Sequence, residues 1–364
     1  MIARAWNSLR PIRPESLTSS LLMLVAALAV TVWLWPTPAP AADLGGNCCH
    51  DLEERIGELE ATTARKGNRK MSVVVYGQVN RAILFVDGLI ADNERNVIDN
   101  STSPTFFGIT GRAQLQKGWV AGYRIELGVL ANTALPLLED QVGVRHAALW
   151  METPAGTFTI GHTSLATDNI SSISVANTEV ASRMLSLAPL STTYLFGIDL
   201  PFSNVRRDLV RYDSPVFGGF TVSASFANGD TPLGIGFNPD NAWDVALRYA
   251  GEFAGFRVAA GAGYRDENFT LTTLNPLPLV RDKVISGSAS VKHNASGLFV
   301  NLAAGHVEKE ALFGGSDFTT WQTQTGIEQK FFKTGATTLF LGYGHLQIDG
   351  AGAEPRMMEL GAVQ

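Results

Sequence analysis

The side chains of this chain that could do chemistry are fixed charges rather than nucleophiles. Seven arginines, Arg112, Arg124, Arg145, Arg207, Arg211, Arg248 and Arg257, recur in segments otherwise made of apolar and small residues. Three carboxylates, Asp168, Glu179 and Asp199, fall in one long stretch rich in Ser, Thr and Asn. A guanidinium stays charged at any relevant pH. Set against carboxylates across a narrow aqueous gap, such a group orders water and sorts solutes by charge and dipole. Any single arginine could equally be solvated or salt-bridged, so the group carries the reading. Glu126, on the face of Arg124, can simply pair with it.

Other chemistries find no support. The six histidines (His50, His146, His162, His293, His306 and His345) are scattered and form no H-E-x-x-H. There is no G-x-S-x-G elbow and no G-x-x-x-x-G-K-[ST] loop. Gly261-Ala262-Gly263 and Gly342-Tyr343-Gly344 lie inside alternating segments, where glycine suits crowded positions better than phosphate binding. An enzyme, a cofactor and a metal are therefore not expected.

Such charges need elements to hold them, and from Val73 onward the sequence has a period of two. Phe220, Val222, Ala224 and Phe226 interleave with Thr221, Ser223, Ser225 and Ala227. Trp243, Val245, Leu247 and Tyr249 interleave with Asp244, Ala246, Arg248 and Ala250. Phe256 to Tyr264 and Ile285 to Val291 alternate in the same way, with Arg257, Arg265 and Lys292 on the polar side. A soluble β-sandwich also alternates. Segments of ~9–11 residues, the span of a tilted strand across a bilayer, favour a membrane barrel, as do aromatics at strand ends and cations among glycines.

Composition agrees. Charged residues are 17% and glycines number 36, which suits many strands and tight turns. The mean hydropathy of +0.08 excludes a helical membrane protein. One apolar run exists, Ser20 to Trp35, behind Arg4, Arg10 and Arg13 and before an Ala39-x-Ala41 site. Its length of about 24 Å falls short of a bilayer core, so it reads as a cleaved signal peptide over residues 1–41. Its removal takes away three arginines and one glutamate, moving the formal charge from −6 to −8 and arguing against nucleic acid as a partner.

Residues 42–71 follow as a periplasmic leader. Leu52, Ile56 and Leu59 mark one helical face, either solvated or subunit-associating, and Arg65 to Lys70 form a basic linker. Adjacent Cys48 and Cys49 bridge each other only with strain, so no disulfide framework is expected.

Strands are expected near 72–86, 105–117, 118–130, 142–153, 156–163, 205–214, 217–228, 241–251, 253–265, 282–293, 297–308, 318–331, 335–348 and from 356. Short turns alternate with long loops.

Cys48-Cys49, Asp51 to Arg55, Ala61 to Lys70 and Tyr76-Gly77-Gln78-Val79-Asn80 together resemble the leader and first strand of alphaproteobacterial outer-membrane porins. Thr105 to Arg112 is similar to the second strand of general porins, and Arg211-Tyr212-Asp213-Ser214-Pro215 to the strand after their constriction loop. The resemblance, over residues 48–364, implies an all-β transmembrane antiparallel barrel over 72–364. It implies sixteen strands, of which about 13–14 are present, a homotrimer in outer-membrane lipid, and passage of ions and small hydrophilic solutes. It also implies that residues 164–204 fold inward and narrow the pore; a loop of this length is otherwise disordered. Family members end on an aromatic, whereas this chain ends Ala362-Val363-Gln364, so a C-terminal truncation is expected. The expected function is passive diffusion across the outer membrane, with a substrate-selective channel or an envelope protein tethered by its leader as alternatives.

Overall fold

The computed structural model describes residues 71–88, 91–99, 104–130, 141–178, 206–228, 237–271, 277–311, 316–333, 335–350, 354 and 356–364. The expected signal peptide, the leader up to residue 70 with Cys48 and Cys49, and the loop carboxylates Glu179 and Asp199 lie outside these residues.

The described chain is almost entirely strand. The first elements are β1 (Met71–Gln78), β2 (Arg81–Gly88), β3 (Ala91–Asp99), β4 (Phe106–Gln116), β5 (Trp119–Leu130) and β6 (Gln141–Thr153). Next come β7 (Gly156–Ser164), β8 (Arg206–Asp213), β9 (Phe220–Ala227), β10 (Phe237–Phe253) and β11 (Phe256–Leu271). The last are β12 (Leu277–His293), β13 (Leu298–Ala311), β14 (Phe318–Phe332), β15 (Gly335–Ile348) and β16 (Arg356–Val363). Fourteen of them form one antiparallel sheet in the order β1, then β4 through β16, so every neighbour after β4 is also the neighbour in sequence. β1 and β16 end that order, and no ladder joins them among the described residues. This is the up-and-down connectivity of a transmembrane β-barrel wall.

One expected strand is corrected. The segment 72–86 is two strands, because the chain leaves the sheet after the Gln78–Phe106 pair. The Asn80 amide donates to Thr105 Oγ1 at 3.1 Å and the Thr105 amide to Asp99 Oδ1 at 3.1 Å. Arg81 stands 3.6 Å from Asp99. These contacts pinch off β2 and β3 as a separate hairpin.

The faces of the sheet are inverted relative to a soluble protein. On β10, Trp243, Val245 and Leu247 are exposed while Ala242, Asp244 and Ala246 are buried. On β12, Ile285 and Val291 are exposed while Ser286, Ser288, Ser290 and Lys292 are buried. Gln322 and Gln324 of β14 are fully buried beside an exposed Trp321. Burying amides and hydroxyls while exposing valine, leucine and tryptophan is favourable only where the outer medium is oil.

Aromatic pairs bracket the outer apolar band. Trp243 packs on Tyr264 near the long-loop end, and Phe220 on Tyr249 and Phe256 on His293 near the short-turn end. The ten residue steps from Trp243 to Phe253 cover about 33 Å of strand, or about 25 Å of height at a tilt near 40°, the height of a barrel's apolar band. Between successive strands of the fourteen-stranded sheet, the two-residue connections all fall at one end. One of them, Ala254-Gly255, has φ of 48° and 83°, a mirror-image hairpin turn that matches strand twist.

An arginine at Leu247, midway along this band, is expected to lower stability by about 2–4 kcal/mol. A shift of the urea midpoint in liposomes checks it, with inner-face Ala303→Ser as the mild comparison.

Candidate functional site

The inner face carries a compact charge cluster on β1, β5 and β6. Glu126 is fully buried at its centre. Its Oε2 accepts from Arg124 Nη2 at 2.5 Å and from the Tyr76 hydroxyl at 2.9 Å, and its Oε1 from Arg145 Nε at 2.5 Å. Arg124 Nε also donates to the Tyr76 oxygen at 2.8 Å. Both guanidiniums lie near aromatic rings, Arg124 5.7 Å from Tyr76 and Arg145 5.1 Å from Phe106. Two cations share one carboxylate, and each lies within cation–π range of an aromatic ring.

Strand irregularity places these groups. Alternation from Ala148 and Trp150 would turn Arg145 outward, but the β5–β6 register slips between Glu126–His146 and Leu127–Val144. The extra residue is Arg145, and the bulge turns it inward onto Glu126. Glycines supply the room. A Cβ at Gly108 would stand 2.6 Å from the Tyr76 ring, and one at Gly128 3.0 Å from Arg145 Cδ.

Next to Glu126, buried His146 places Nδ1 2.9 Å from Thr163 Oγ1, and Arg206 Nε donates to its Nε2 at 3.4 Å. An acceptor at Nε2 leaves the proton on Nδ1, so Thr163 accepts.

The second feature is the segment after β7. Residues 165–178 run along the inner wall from β8 to β15. Leu165 packs with Leu209, Ala227 and Ala242, Ala166 and Ile170 with Ala246, and Ala176 with Phe299 and Phe340. Between these contacts the wall satisfies the segment's backbone. The Thr167 amide and hydroxyl both donate to Asp244 Oδ2, at 2.6 and 2.7 Å. Arg248 Nη2 donates to the carbonyls of Ala166 and Asp168 at 2.7 and 2.8 Å. Arg211 Nη1 donates to those of Ser164 and Leu165. Ser290 accepts from the Val175 amide, and Thr338 donates to the Ala176 carbonyl. A buried irregular segment must find partners for its peptide groups. Here side chains from strand after strand provide them.

An antiparallel wall apolar outside and charged inside, with a segment laid against its inner face after the fifth sheet strand, is porin geometry. A family model described as Gram-negative porin matches residues 25–364. The chain belongs to the Gram-negative porin family. Among solved structures, OmpF of Salmonella typhi in complex with daunomycin matches at 14% identity, covering 80% of this porin and 85% of that chain with a TM-score of 0.50. An anion-selective porin from Comamonas acidovorans is 14% identical, with coverages of 80% and 99% and a TM-score of 0.44. OmpT of Vibrio cholerae in its trimer form is 16% identical, with coverages of 81% and 95% and a TM-score of 0.43. No curated protein sequence matches this porin.

In this porin the seven arginines separate into distinct settings. Arg124 and Arg145 share Glu126. Arg112 lies two residue pairs nearer the short turns than Arg124, bonded to Glu152 at 3.0 Å with the Trp150 ring 5.9 Å away. Arg211 and Arg248 hold the inturned segment, and Arg211 also pairs with Asp213 at 2.7 Å. Arg207 is bonded to buried Glu267, and Arg257 pairs with Glu252 at the exposed β10–β11 turn. Asp168 is buried in the inturned segment, where Arg248 binds its carbonyl.

Sequence reasoning missed Tyr76, His146 and Arg206. Their partners come from strands far apart in sequence, and no local spacing announces them. Asp244 could have been found as the one acidic residue on the polar side of the strand expected over 241–251.

Proposed function

We propose that this chain is an outer-membrane channel that passes ions and small hydrophilic solutes by passive diffusion. The observation that carries the reading is the inverted wall, with Trp243, Leu247 and Val291 exposed outward and Lys292, Gln322 and Asp244 buried inward. Among the inner-face charges, Arg112, Arg124 and Arg145 keep side-chain exposures of 41%, 21% and 17%, which lets them meet water and hydrated solutes. The cluster at Arg124 and Arg145 carries more positive than negative charge, so it favours anions in the adjacent passage. The residues proposed to meet permeating ions are Arg112, Arg124 and Arg145. Arg207, Arg211, Arg248 and Arg257 belong to the same inner wall, and Asp168, Glu179 and Asp199 to the facing loop over 164–204.

Delivery follows from the same reading. Residues 1–41 serve as a cleaved signal, and 42–71 form a periplasmic leader, whose Cys48-Cys49 and basic run favour an alphaproteobacterial type. The barrel works as a homotrimer.

Planar-bilayer recording of the full chain tests the function. The expected result is stepwise conductance proportional to salt concentration and not blocked by sugars at millimolar concentration. Conductance that saturates with one solute would indicate a selective channel, and no conductance from inserted protein would overturn the proposal.

A further inference from the structure

The inturned segment does not merely lie near the wall; it rests in a seat cut for it. Two inward positions of β11 are glycines. A Cβ at Gly263 would stand 2.7 Å from Thr167 Cγ2 and 3.4 Å from Thr167 Cβ. A Cβ at Gly261 would stand 2.7 Å from Ile173 Cδ1 and 2.9 Å from Ile170 Cδ1. Neither glycine has a φ that requires glycine, since neither is among the positive-φ residues. What demands them is space, and the segment fills most of it; at Gly263 the Val245 carbonyl oxygen of β10 also stands 3.2 Å from the added Cβ.

Beside Gly263, Asp244 holds Thr167 through two hydrogen bonds and accepts a third from Ser225. It is 1% exposed. Beside Gly261, Ser288 donates to the Ile170 carbonyl and accepts from the Ile173 amide at 3.1 Å. Each glycine therefore has a polar clamp next to it. The clamp draws the segment in, and the missing side chain lets it come close.

We infer that Gly261, Gly263 and Asp244 are positioning residues of the channel, fixing how far residues 165–178 stand off the wall and so the cross-section left for solutes. They touch no permeating ion. The inference rests on the channel reading, and it locates control of width in the wall behind the loop as well as in residues that face the passage.

A complementary substitution tests it. Gly263→Ala adds the methyl that meets Thr167 Cγ2. Relief to an ordinary carbon contact of about 3.5–4.0 Å moves Thr167 inward by about 1 Å. Thr167→Ser removes Cγ2 and keeps the hydroxyl that bonds Asp244. Single-channel conductance is to be measured for the full-length wild type, G263A, T167S and the pair. G263A is expected to conduct less, by roughly a tenth to a third, on the strength of that displacement. T167S is expected to match wild type, and the pair to return most of the way to the wild-type value, because the contact with the Val245 carbonyl remains.

Equal conductance in G263A and wild type would overturn the inference, as would a pair that stays as low as G263A. A general defect in the barrel would not be rescued by deleting one methyl across the contact. Should G263A not assemble, Gly261→Ala with and without Ile173→Val and Ile170→Val asks the same question at the other seat, because those changes delete both Cδ1 atoms. A wild type that inserts and carries no current would refute the channel reading itself, a result distinct from any of these.

Discussion

Glu126→Gln is expected to make the channel more anion-selective and the protein less stable. Glu126 is fully buried and holds Arg124, Arg145 and the Tyr76 hydroxyl at once. Glutamine keeps the shape and one acceptor oxygen but removes the charge that two guanidiniums share. Breaking a buried ion pair by deleting one partner costs about 3–5 kcal/mol. The loss here is expected near the lower end, about 3 kcal/mol, because Arg124 and Arg145 retain 21% and 17% side-chain exposure and can turn to water. On the conducting side, a unit charge about 7 Å from a passing ion is worth about 0.6 kcal/mol in water, close to a threefold change in its local concentration. Reversal potentials under a salt gradient should move toward the anion value, and the urea midpoint should fall. An unchanged reversal potential with intact insertion would place the cluster away from the ion path.

The opposite shift is expected from removing Arg112, Arg124 and Arg145 together. Two of these cations adjoin one carboxylate, and the third is balanced by Glu152. Their loss turns a net positive wall negative, so reversal potentials should move toward the cation value. Arg124 and Arg145 should account for most of the shift. Arg112→Ala alone should cost little stability, because its pair with Glu152 is exposed on both sides, but it leaves Glu152 uncompensated and should contribute the remainder of the shift toward cations. The triple variant leaves Glu126 buried without either guanidinium, which is costly. Adding Glu126→Gln is therefore expected to restore part of the stability and cancel part of the cation preference. That sign reversal separates an electrostatic effect from a change of shape.

The strands were legible where each residue faces either oil or water. On β9, β10 and β12, the alternation places each side chain on the face it occupies in the structure. Legibility failed where that contrast ends. At the long-loop end, Asp266, Glu267, Arg281, Asp282 and Lys283 put charge on both faces, and Arg281 pairs with Asp266 at 2.6 Å. Both sides there meet polar surroundings, so the period disappears, and β10, β11 and β12 run several residues past their expected ends at that end. The β2–β3 hairpin was hidden for another reason. Ala82-Ile83-Leu84-Phe85-Val86 reads as a continuous apolar strand, and the break depends on Thr105 and Asp99, which come later in the chain.

The charge cluster was half legible. Arg124 and Glu126 lie two apart on one strand and therefore share a face, so their pairing could be foreseen. Arg145 joins them only through a bulge, and Tyr76 arrives from β1. The glycine pair Gly261 and Gly263 could be read as occupying a crowded inner position. What crowds it, the segment carrying Thr167, Ile170 and Ile173, emerges only from the fold.

Nitroxide labels on the reconstituted protein give the most direct check of which way this wall faces. With Cys48 and Cys49 replaced by serine, single cysteines at Leu149 and Arg112 would carry the probe, one on each face of the sheet. A label at 149 should collide more with oxygen dissolved in the membrane, and one at 112 more with a water-soluble nickel chelate. If the label at 149 met the chelate while the label at 112 met the oxygen, the wall would face the other way and no aqueous passage could lie within it.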